Sequence, residues 1–511
     1  MTEGMGTMAI VGFDSEKYLA EQTRYIMDRV GRIDGKLYLE CGGKLMGDYH
    51  ASRVLPGFDP DVKMRVFQSM KDKIDVIVCI YAGDIEHRKI RSDFGITYAD
   101  NVLKLIDDYN KWGLLCDKVV ITRYEHQEMA DKFKERLEHD GLHVYLHRPT
   151  KGYPADVERI VSDEGYGANP YVETERPLVI VTAPGPGSGK LGTCLSQMYH
   201  DYKAGRKSRY AKFETFPVWN LPIDHPVNVA YESATADIGD KNRIDHFHLA
   251  AYGVPTVNYS RDLEAYPLLR RILEKITGEC VYKSPTDMGV NRIAFGIVSD
   301  DVCRQAANQE IIRRFLHAQS DFALGQCTAE TVERCQEIMQ RCGLNEMDRP
   351  VVSAARAARE RGITRNKGFN GIVCAAAIQL PDGRIATGCN TPLMHAASSA
   401  MLNALKLLGN VDHDTDLISP AIIRNITDLK RTTLSGRGVS INLDEMLICL
   451  AMSAAVNRYA ERAVGLLPQL RGCEMHLTHI PSSGDTAGLR KLRLHVTSDP
   501  KFPRTNFYHP L

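Results

Sequence analysis

Short apolar runs that recur between amphipathic helical segments constrain the fold more than any other feature of this sequence. The runs lie at 36–41, 75–81, 118–122, 143–147, 177–183 and 210–215. Helical periodicity separates them, at 16–32, 61–72, 99–112, 125–139 and from the end of a glycine-rich loop to about 203. Apolar runs with little alternation are typical of parallel strands that are buried on both faces. Residues 1–220 are therefore predicted to form a doubly wound, mostly parallel α/β domain.

The remainder of the 511-residue chain is too long to share one hydrophobic core with this domain. A proline-punctuated stretch after Phe216 disfavours regular structure, and helical segments follow at 226–239, 261–277, 300–318 and 328–342. A second linker at 346–350 leads to a helix, a strand–turn–strand unit and a further helix, at 352–361, 371–379, 384–388 and 396–408. We expect a mainly helical middle region at 221–345 and a smaller C-terminal α/β subdomain at 346–511.

The glycine-rich loop at 184–192 carries the strongest chemical signal, because it joins a predicted strand to a predicted helix. Glycines let consecutive backbone N–H groups approach an anion, and the N-terminus of the helix adds the positive end of its dipole. Lys190 supplies a point charge for a phosphate. The predicted phosphate contacts come from Gly185, Gly187, Ser188, Gly189, Lys190, Gly192 and Thr193.

Two phosphate-binding motifs overlap in this loop. The Walker motif G-x-x-x-x-G-K-[ST] fits at 184–191, although Pro184 replaces its first glycine and Leu191 replaces the hydroxyl residue that holds Mg²⁺. Thr193 takes that role only if the loop geometry differs. The dinucleotide fingerprint G-x-G-x-x-G fits at 187–192, with Glu214 near the end of the next strand as the ribose-binding acid. A purely structural glycine turn is the third interpretation.

Two further sets of polar residues are candidates for a functional site: Asp84 at a strand end, and a separate Asp/His cluster. Asp84 ends an apolar strand, where it either organises Mg²⁺ beside a bound phosphate or caps the following helix. Asp237, Asp240, Asp245, His246 and His248 form the densest Asp/His cluster. Helix capping and surface charge explain that cluster better than a shared metal ion, because two histidines at i and i+2 point apart on a helix.

Composition excludes several classes of function. Lys+Arg and Asp+Glu both number 64, and no long basic run occurs, which argues against a nucleic-acid partner. The 13 cysteines are scattered and form no Cys-x-x-Cys pair, which indicates a reducing, cytoplasmic compartment. The first eight residues lack the pattern of a signal peptide, and the apolar runs are too short for a bilayer. Apolar C-terminal helices favour a homo-oligomer.

The C-terminal subdomain resembles the opening of the zinc nucleoside deaminases, in which a strand–turn–strand unit precedes a helix. That family needs His-x-Glu at the start of the helix and a later Pro-Cys-x-x-Cys. Here Ser398 follows His395-Ala-Ala, and neither the glutamate nor the cysteine pair is present. We therefore expect a deaminase-like topology without zinc ligands and no metal in this region.

Five motifs together carry a family resemblance: Asp48-Tyr-His-Ala51, Arg53-Val-Leu-Pro-Gly-Phe-Asp-Pro60, Ser162-Asp-Glu-Gly-Tyr-Gly-Ala-Asn-Pro170, Pro184-Gly-Pro-Gly-Ser-Gly-Lys190 and Lys283-Ser-Pro-Thr-Asp-Met-Gly-Val-Asn291. The chain resembles, over essentially its whole length, a bacterial family that carries a domain of unknown function. The resemblance implies a multidomain α/β architecture and no particular substrate.

The leading hypothesis is an enzyme, a nucleotide-dependent hydrolase or transferase, that binds ATP with Mg²⁺ or another phosphorylated small molecule at the glycine-rich loop. Lys190 neutralises phosphate in this hypothesis, and Asp84 is the candidate metal ligand. A non-catalytic nucleotide sensor and a dinucleotide-dependent oxidoreductase that uses Glu214 are the alternatives.

Overall fold

A computed structural model describes residues 11–91, 95–434 and 439–503 of the chain. The first eight residues, whose sequence lacks the pattern of a signal peptide, lie outside this described part. The described chain divides into two compact units, residues 11–307 and residues 308 onward. None of the described helices is both long enough and apolar enough to cross a membrane.

A six-stranded parallel sheet is the centre of the first unit. Its strands in chain order are β1 (Leu37–Cys41), β2 (Ile74–Tyr81), β3 (Cys116–Thr122), β4 (His143–Leu146), β5 (Leu178–Thr182) and β6 (Arg209–Phe213). They lie side by side in the order β4-β3-β2-β5-β1-β6, and every neighbouring pair is parallel. The parallel α/β sheet predicted from the apolar runs is thereby confirmed.

The central strand β5 shows why these runs are apolar, since all five of its residues are buried. Val179 and Val181 belong to a core that includes residues of the helices Lys190–Lys203 and Ser260–Thr277. On the opposite face, the Thr182 hydroxyl accepts a hydrogen bond of 3.1 Å from Tyr109 on the helix Tyr98–Lys111. Helices cover both faces, so each strand buries both sets of its side chains.

The other helices of the first unit are mostly short. They span Ser15–Gly31, Tyr49–Val54, Val62–Gln68, Ala82–Glu86, Glu128–His139, Val157–Ile160, Pro226–Ala234, His246–Tyr252 and Pro285–Met288. Two short antiparallel pairs join Ile90–Arg91 to Ile96–Thr97 and Asn242–Ile244 to Val257–Tyr259. The sequence did not predict these pairs, because strands of two or three residues are too short to show a periodicity.

Residues 221–307 group with the sheet in the first unit, and the helix Asp300–Ala323 carries the chain into the second. The predicted boundaries at residues 220 and 345 stay predictions.

The second unit contains a four-stranded mixed sheet. Its strands are β7 (Ala375–Gln379), β8 (Ile385–Cys389), β9 (Glu474–Leu477) and β10 (His495–Ser498), in the order β8-β7-β9-β10. Strand β7 is antiparallel to both neighbours, whereas β9 and β10 are parallel. The helices span Ala329–Arg341, Pro350–Thr364, Ala396–Leu408, Pro420–Thr432, Leu443–Ala454, Arg458–Leu466 and Ser483–Lys491.

The predicted β7–β8 hairpin and the helix at 396–408 are confirmed. Strands β9 and β10 were missed because each has only four residues, and a histidine stands in each of them.

Candidate ligand-binding cavity

The glycine-rich loop leaves the carboxyl end of β5 and enters the helix Lys190–Lys203, as the sequence predicts. Gly189 is the N-cap residue of this helix and has a left-handed backbone, with φ 84° and ψ 15°. A left-handed residue immediately before the helix is a conformation that glycine adopts without strain. Lys190 is therefore the first helical residue.

Neighbouring elements hold the loop in place. Arg91 donates to the Pro184 carbonyl at 2.7 Å, and the Thr122 hydroxyl donates to the Ser188 carbonyl at 2.9 Å. A Cβ atom on Gly185 would lie 2.6 Å from the Tyr98 ring, and one on Gly189 would lie 2.7 Å from the Thr122 hydroxyl. Both glycines are thus required by close packing, independently of any ligand.

The amide groups of the loop are available for a ligand. Within the described parts of the chain, no backbone or side-chain acceptor receives a hydrogen bond from the N–H groups of residues 187–192. Gly187 and Gly189 both have positive φ, 73° and 84°. A turn that mixes left- and right-handed residues arranges successive N–H groups into an anion-binding concavity, and the helix N-terminus strengthens it.

Lys190 brings a positive charge to these amides. Its side chain is half-buried. Among the residues that the structure describes, its ammonium has no hydrogen-bond acceptor and no carboxylate within ion-pair distance. Burial raises the pKa of the nearby Cys79 thiol to about 12, against the opposing effects of the Thr193 hydrogen bond and the Lys190 charge. The thiol therefore stays neutral and does not form an ion pair with the ammonium.

A cavity of about 740 Å³ adjoins the loop, at the carboxyl ends of β1, β5 and β6. Its walls comprise the glycine-rich loop, residues 40–46, the helix Tyr98–Lys111 and side chains between residues 231 and 288. Open α/β sheets bind ligands at the carboxyl edge of their strands. The volume lies within the range of small-molecule sites.

Five carboxylates line this cavity. Asp108 pairs with Lys104, and we call the other four, Glu40, Glu214, Asp240 and Asp262, the acidic wall. The Lys212 ammonium lies 2.6 Å from an Asp262 oxygen and 3.0 Å from a Glu214 oxygen. Tyr210 donates a hydrogen bond of 2.7 Å to Glu40.

Glu214 is the most perturbed member of the acidic wall. Burial raises the pKa of Glu214 to about 7, and the Asp262 and Glu40 carboxylates add to this against the attraction of Lys212. Burial alone would lower the pKa of Lys212, but the three surrounding carboxylates raise it above its ordinary value. Lys212 thus remains charged at neutral pH, whereas Glu214 exchanges a proton there.

The structure brings only part of the predicted site into the cavity. Gly185, Gly187, Lys190 and Glu214 line it, whereas Ser188, Gly189, Gly192 and Thr193 do not. The Thr193 hydroxyl is buried and accepts a hydrogen bond from Cys79 at 3.4 Å. Asp84 lies in the short helix Ala82–Glu86, does not line the cavity and pairs with Lys89 at 3.2 Å.

The sequence did not indicate several of the residues that line the cavity. Glu40 offers a weak signal, since it is the only charged residue in β1. Lys212 and Asp262 are 50 positions apart, so no local spacing indicates that they form an ion pair.

Within the Asp/His cluster at 237–248, Asp240 belongs to the acidic wall, whereas Asp245 has a structural role. Asp245 is fully buried and caps the helix His246–Tyr252 by accepting from the His248 amide. Its other oxygen accepts from the Thr286 hydroxyl at 2.7 Å. Within the described residues, no group of three or more His, Cys, Asp or Glu side chains is arranged to hold a metal ion.

The chain is similar to known bacterial proteins over almost its entire length. Residues 11–343 and 347–508 match the N-terminal and C-terminal parts of the family described as domain of unknown function DUF1846.

A UPF0371 protein of Fusobacterium nucleatum is 53% identical over 503 residues, which cover 98% of this chain and 99% of that protein. UPF0371 proteins of Clostridium botulinum strain Alaska E43 and Clostridioides difficile strain 630 are each 51% identical over 500 residues, with the same coverage. The resemblance seen in the sequence is therefore confirmed, and the chain belongs to the DUF1846 family.

Proposed function

We propose that this protein is an enzyme that binds a phosphorylated small molecule, of which ATP with Mg²⁺ is one candidate, at the glycine-rich loop. The Lys190 ammonium lines the cavity beside amides without acceptors and has no ion-pair partner among the described residues, and this observation carries the proposal. An ammonium at the first residue of a helix is opposed by the helix dipole. A bound phosphate removes this conflict, because it attracts both the ammonium and the helix N-terminus.

The loop, all of which lies in the described chain, offers groups that can contact phosphate but no free hydroxyl that could bind Mg²⁺ directly. Leu191 lines the cavity at the position where a Walker loop carries its Mg²⁺-binding hydroxyl. The Thr193 hydroxyl is already engaged by Cys79. Mg²⁺ commonly keeps several waters and takes further ligands from substrate phosphates, so the proposal does not depend on a hydroxyl in the loop.

A dinucleotide-dependent oxidoreductase is the second candidate, because Glu214 lines the same cavity as the glycine-rich loop. A carboxylate beyond the following strand is the residue that binds the ribose hydroxyls in such proteins. A non-catalytic sensor would use the same contacts and differ only in lacking turnover.

For the second unit we propose a deaminase-like topology without its zinc chemistry. The β7–β8 hairpin followed by the helix Ala396–Leu408 supports this proposal. His395 is the N-cap residue of that helix, and its ring hydrogen-bonds to the buried carboxylate of Asp485 at 2.7 Å.

Thermal unfolding with a panel of ligands tests the proposal. The panel contains ATP and AMP with and without Mg²⁺, NAD⁺ and inorganic phosphate. A ligand present at 100 times its Kd stabilises the folded state by about 2.7 kcal/mol, which raises the melting temperature measurably. Release of phosphate from a bound nucleotide in the presence of Mg²⁺ then separates the enzyme from the sensor. The proposal fails if no phosphorylated compound raises the melting temperature.

A further inference from the structure

The acidic wall of the cavity has hydrogen-bonding capacity that the protein does not use. Glu40 and Glu214 each have one oxygen engaged, by Tyr210 and Lys212 respectively. Asp262 has one oxygen engaged by Lys212. Nowhere in the described chain does a donor reach the second oxygen of these three carboxylates. Three acceptors therefore border the cavity, and the Lys212 ammonium contacts two of the three carboxylates.

Tyr259 provides an independent indication of a missing polar partner. It lines the cavity, and only 3% of its surface is exposed. Its hydroxyl is buried and has no hydrogen-bond partner in the part of the chain that the structure describes. A buried polar group without a partner destabilises a fold, and native proteins rarely retain one without a functional or solvent-mediated reason.

The combination of carboxylates and an ammonium favours hydroxyl groups as the ligand. A hydroxyl donates to a carboxylate and also accepts from Lys212 or from a tyrosine, whereas an ammonium group only donates. The perturbed acid Glu214 fits this assignment, because its pKa of about 7 leaves it partly protonated at neutral pH. The wall then presents both donors and acceptors to the cavity.

We propose that the ligand is a phosphorylated polyol of the sugar phosphate class, with its phosphate at the glycine-rich loop and its hydroxyls against Glu214, Asp262 and Tyr259. This inference rests on the proposed function, since it assigns the part of the same ligand that the loop does not bind. It also makes these three residues determinants of specificity, because they contact the part of the ligand that distinguishes one phosphate ester from another.

Calorimetry with four probes tests the assignment: ribose 5-phosphate, glucose 6-phosphate, propyl phosphate and phosphoethanolamine. At least one sugar phosphate is expected to bind wild type about tenfold more tightly than propyl phosphate, which is the effect of one added charge-assisted hydrogen bond. Asp262→Asn and Glu214→Gln should remove most of this tenfold preference for the sugar phosphate and leave the affinity for propyl phosphate unchanged. Lys190→Ala should weaken all phosphorylated probes by a similar factor.

Tyr259→Phe is the second variant, for the case that a change in the acidic wall impairs folding. Removing an unsatisfied hydroxyl should leave the melting temperature of the unliganded protein unchanged or higher, while the preference for the sugar phosphate falls. Equal affinities for propyl phosphate and both sugar phosphates would overturn this inference while the phosphate site stands. Preference for phosphoethanolamine would overturn it as well, since the wall would then recognise an amine. If none of the four probes binds, this inference is overturned and the thermal panel alone decides the proposed function. If a phosphorylated probe binds wild type and Lys190→Ala equally well, the proposed function fails together with this inference.

Discussion

Lys190→Ala is expected to weaken binding of a phosphorylated ligand strongly while leaving the unliganded fold intact. The Lys190 ammonium lines the cavity, and across the described residues it forms no ion pair. Its removal therefore deprives no protein carboxylate of a partner. What disappears is one charge-assisted contact to the ligand.

The size of the expected loss in affinity follows from the single contact that disappears. A hydrogen bond to a charged group contributes about 1.5–3 kcal/mol, which corresponds to a loss of about one to two orders of magnitude in affinity. In the absence of ligand, Lys190→Ala is expected to stabilise the fold slightly. Lys190 is the first residue of a 14-residue helix, where a positive charge is opposed by the helix dipole. Removing it should raise the free energy of unfolding by up to about 1 kcal/mol.

Lys203→Ala is the matched control, because it removes the same charge from the other end of the same helix. Lys203 lies in the last helical turn, does not line the cavity and pairs with Asp163 at 3.0 Å. There the dipole attracts a cation, so this variant should be slightly less stable than wild type and bind ligand normally.

Calorimetry with the best compound from the thermal panel and urea unfolding without ligand measure the two effects. Equal ligand affinities for wild type and Lys190→Ala would show that the loop is not the phosphate site. A loss of stability in Lys190→Ala as large as in a core substitution would show that the lysine has a structural role.

Four further predictions concern the fold and its chemistry. Gly189→Ala should destabilise the protein more than Gly141→Ala, because both have positive φ but only the former brings a Cβ within 2.7 Å of Thr122; urea unfolding of both variants measures the difference. Burial opposes ionisation of Glu474, but Arg349 and His495 outweigh it and lower its pKa to about 2. The folded pKa of Glu474 is below its unfolded value, so the ionised carboxylate should stabilise the fold fully above about pH 4.5 and lose this effect as the pH falls toward 2. The free energy of unfolding of Glu474→Gln, measured over the same pH range, should lack this part of the pH dependence. All 13 cysteines, each within the described residues, are thiols, so a thiol titration of the denatured protein without reductant should find 13. Elemental analysis of the purified protein should find no stoichiometric zinc, because the sequence has no Cys-x-x-Cys pair.

Features that depend on residues close along the chain could be predicted from the sequence. Buried parallel strands require apolar side chains on both faces, so the runs at 75–81 and 177–183 indicated β2 and β5 directly. Left-handed backbone favours glycine, so the glycine-rich loop at 184–192 indicated the turn between β5 and the following helix, although that helix begins within the loop, at Lys190. Local sterics and hydrophobic periodicity both depend on residues that are close along the chain.

Which of the candidate residues share a cavity depends on contacts that form only in the folded chain. Strand β5 lies between β1 and β2, so the glycine-rich loop and the ends of β1 and β6 meet at one edge of the sheet. Asp84 and Thr193, the two candidate Mg²⁺ ligands, do not line the cavity, whereas Asp262 lines it and forms an ion pair with Lys212. Strand order is set by packing between segments that are far apart in sequence, and no local pattern records it. For this reason the phosphate-loop-like segment was visible in the sequence, while the acidic wall beside it was not.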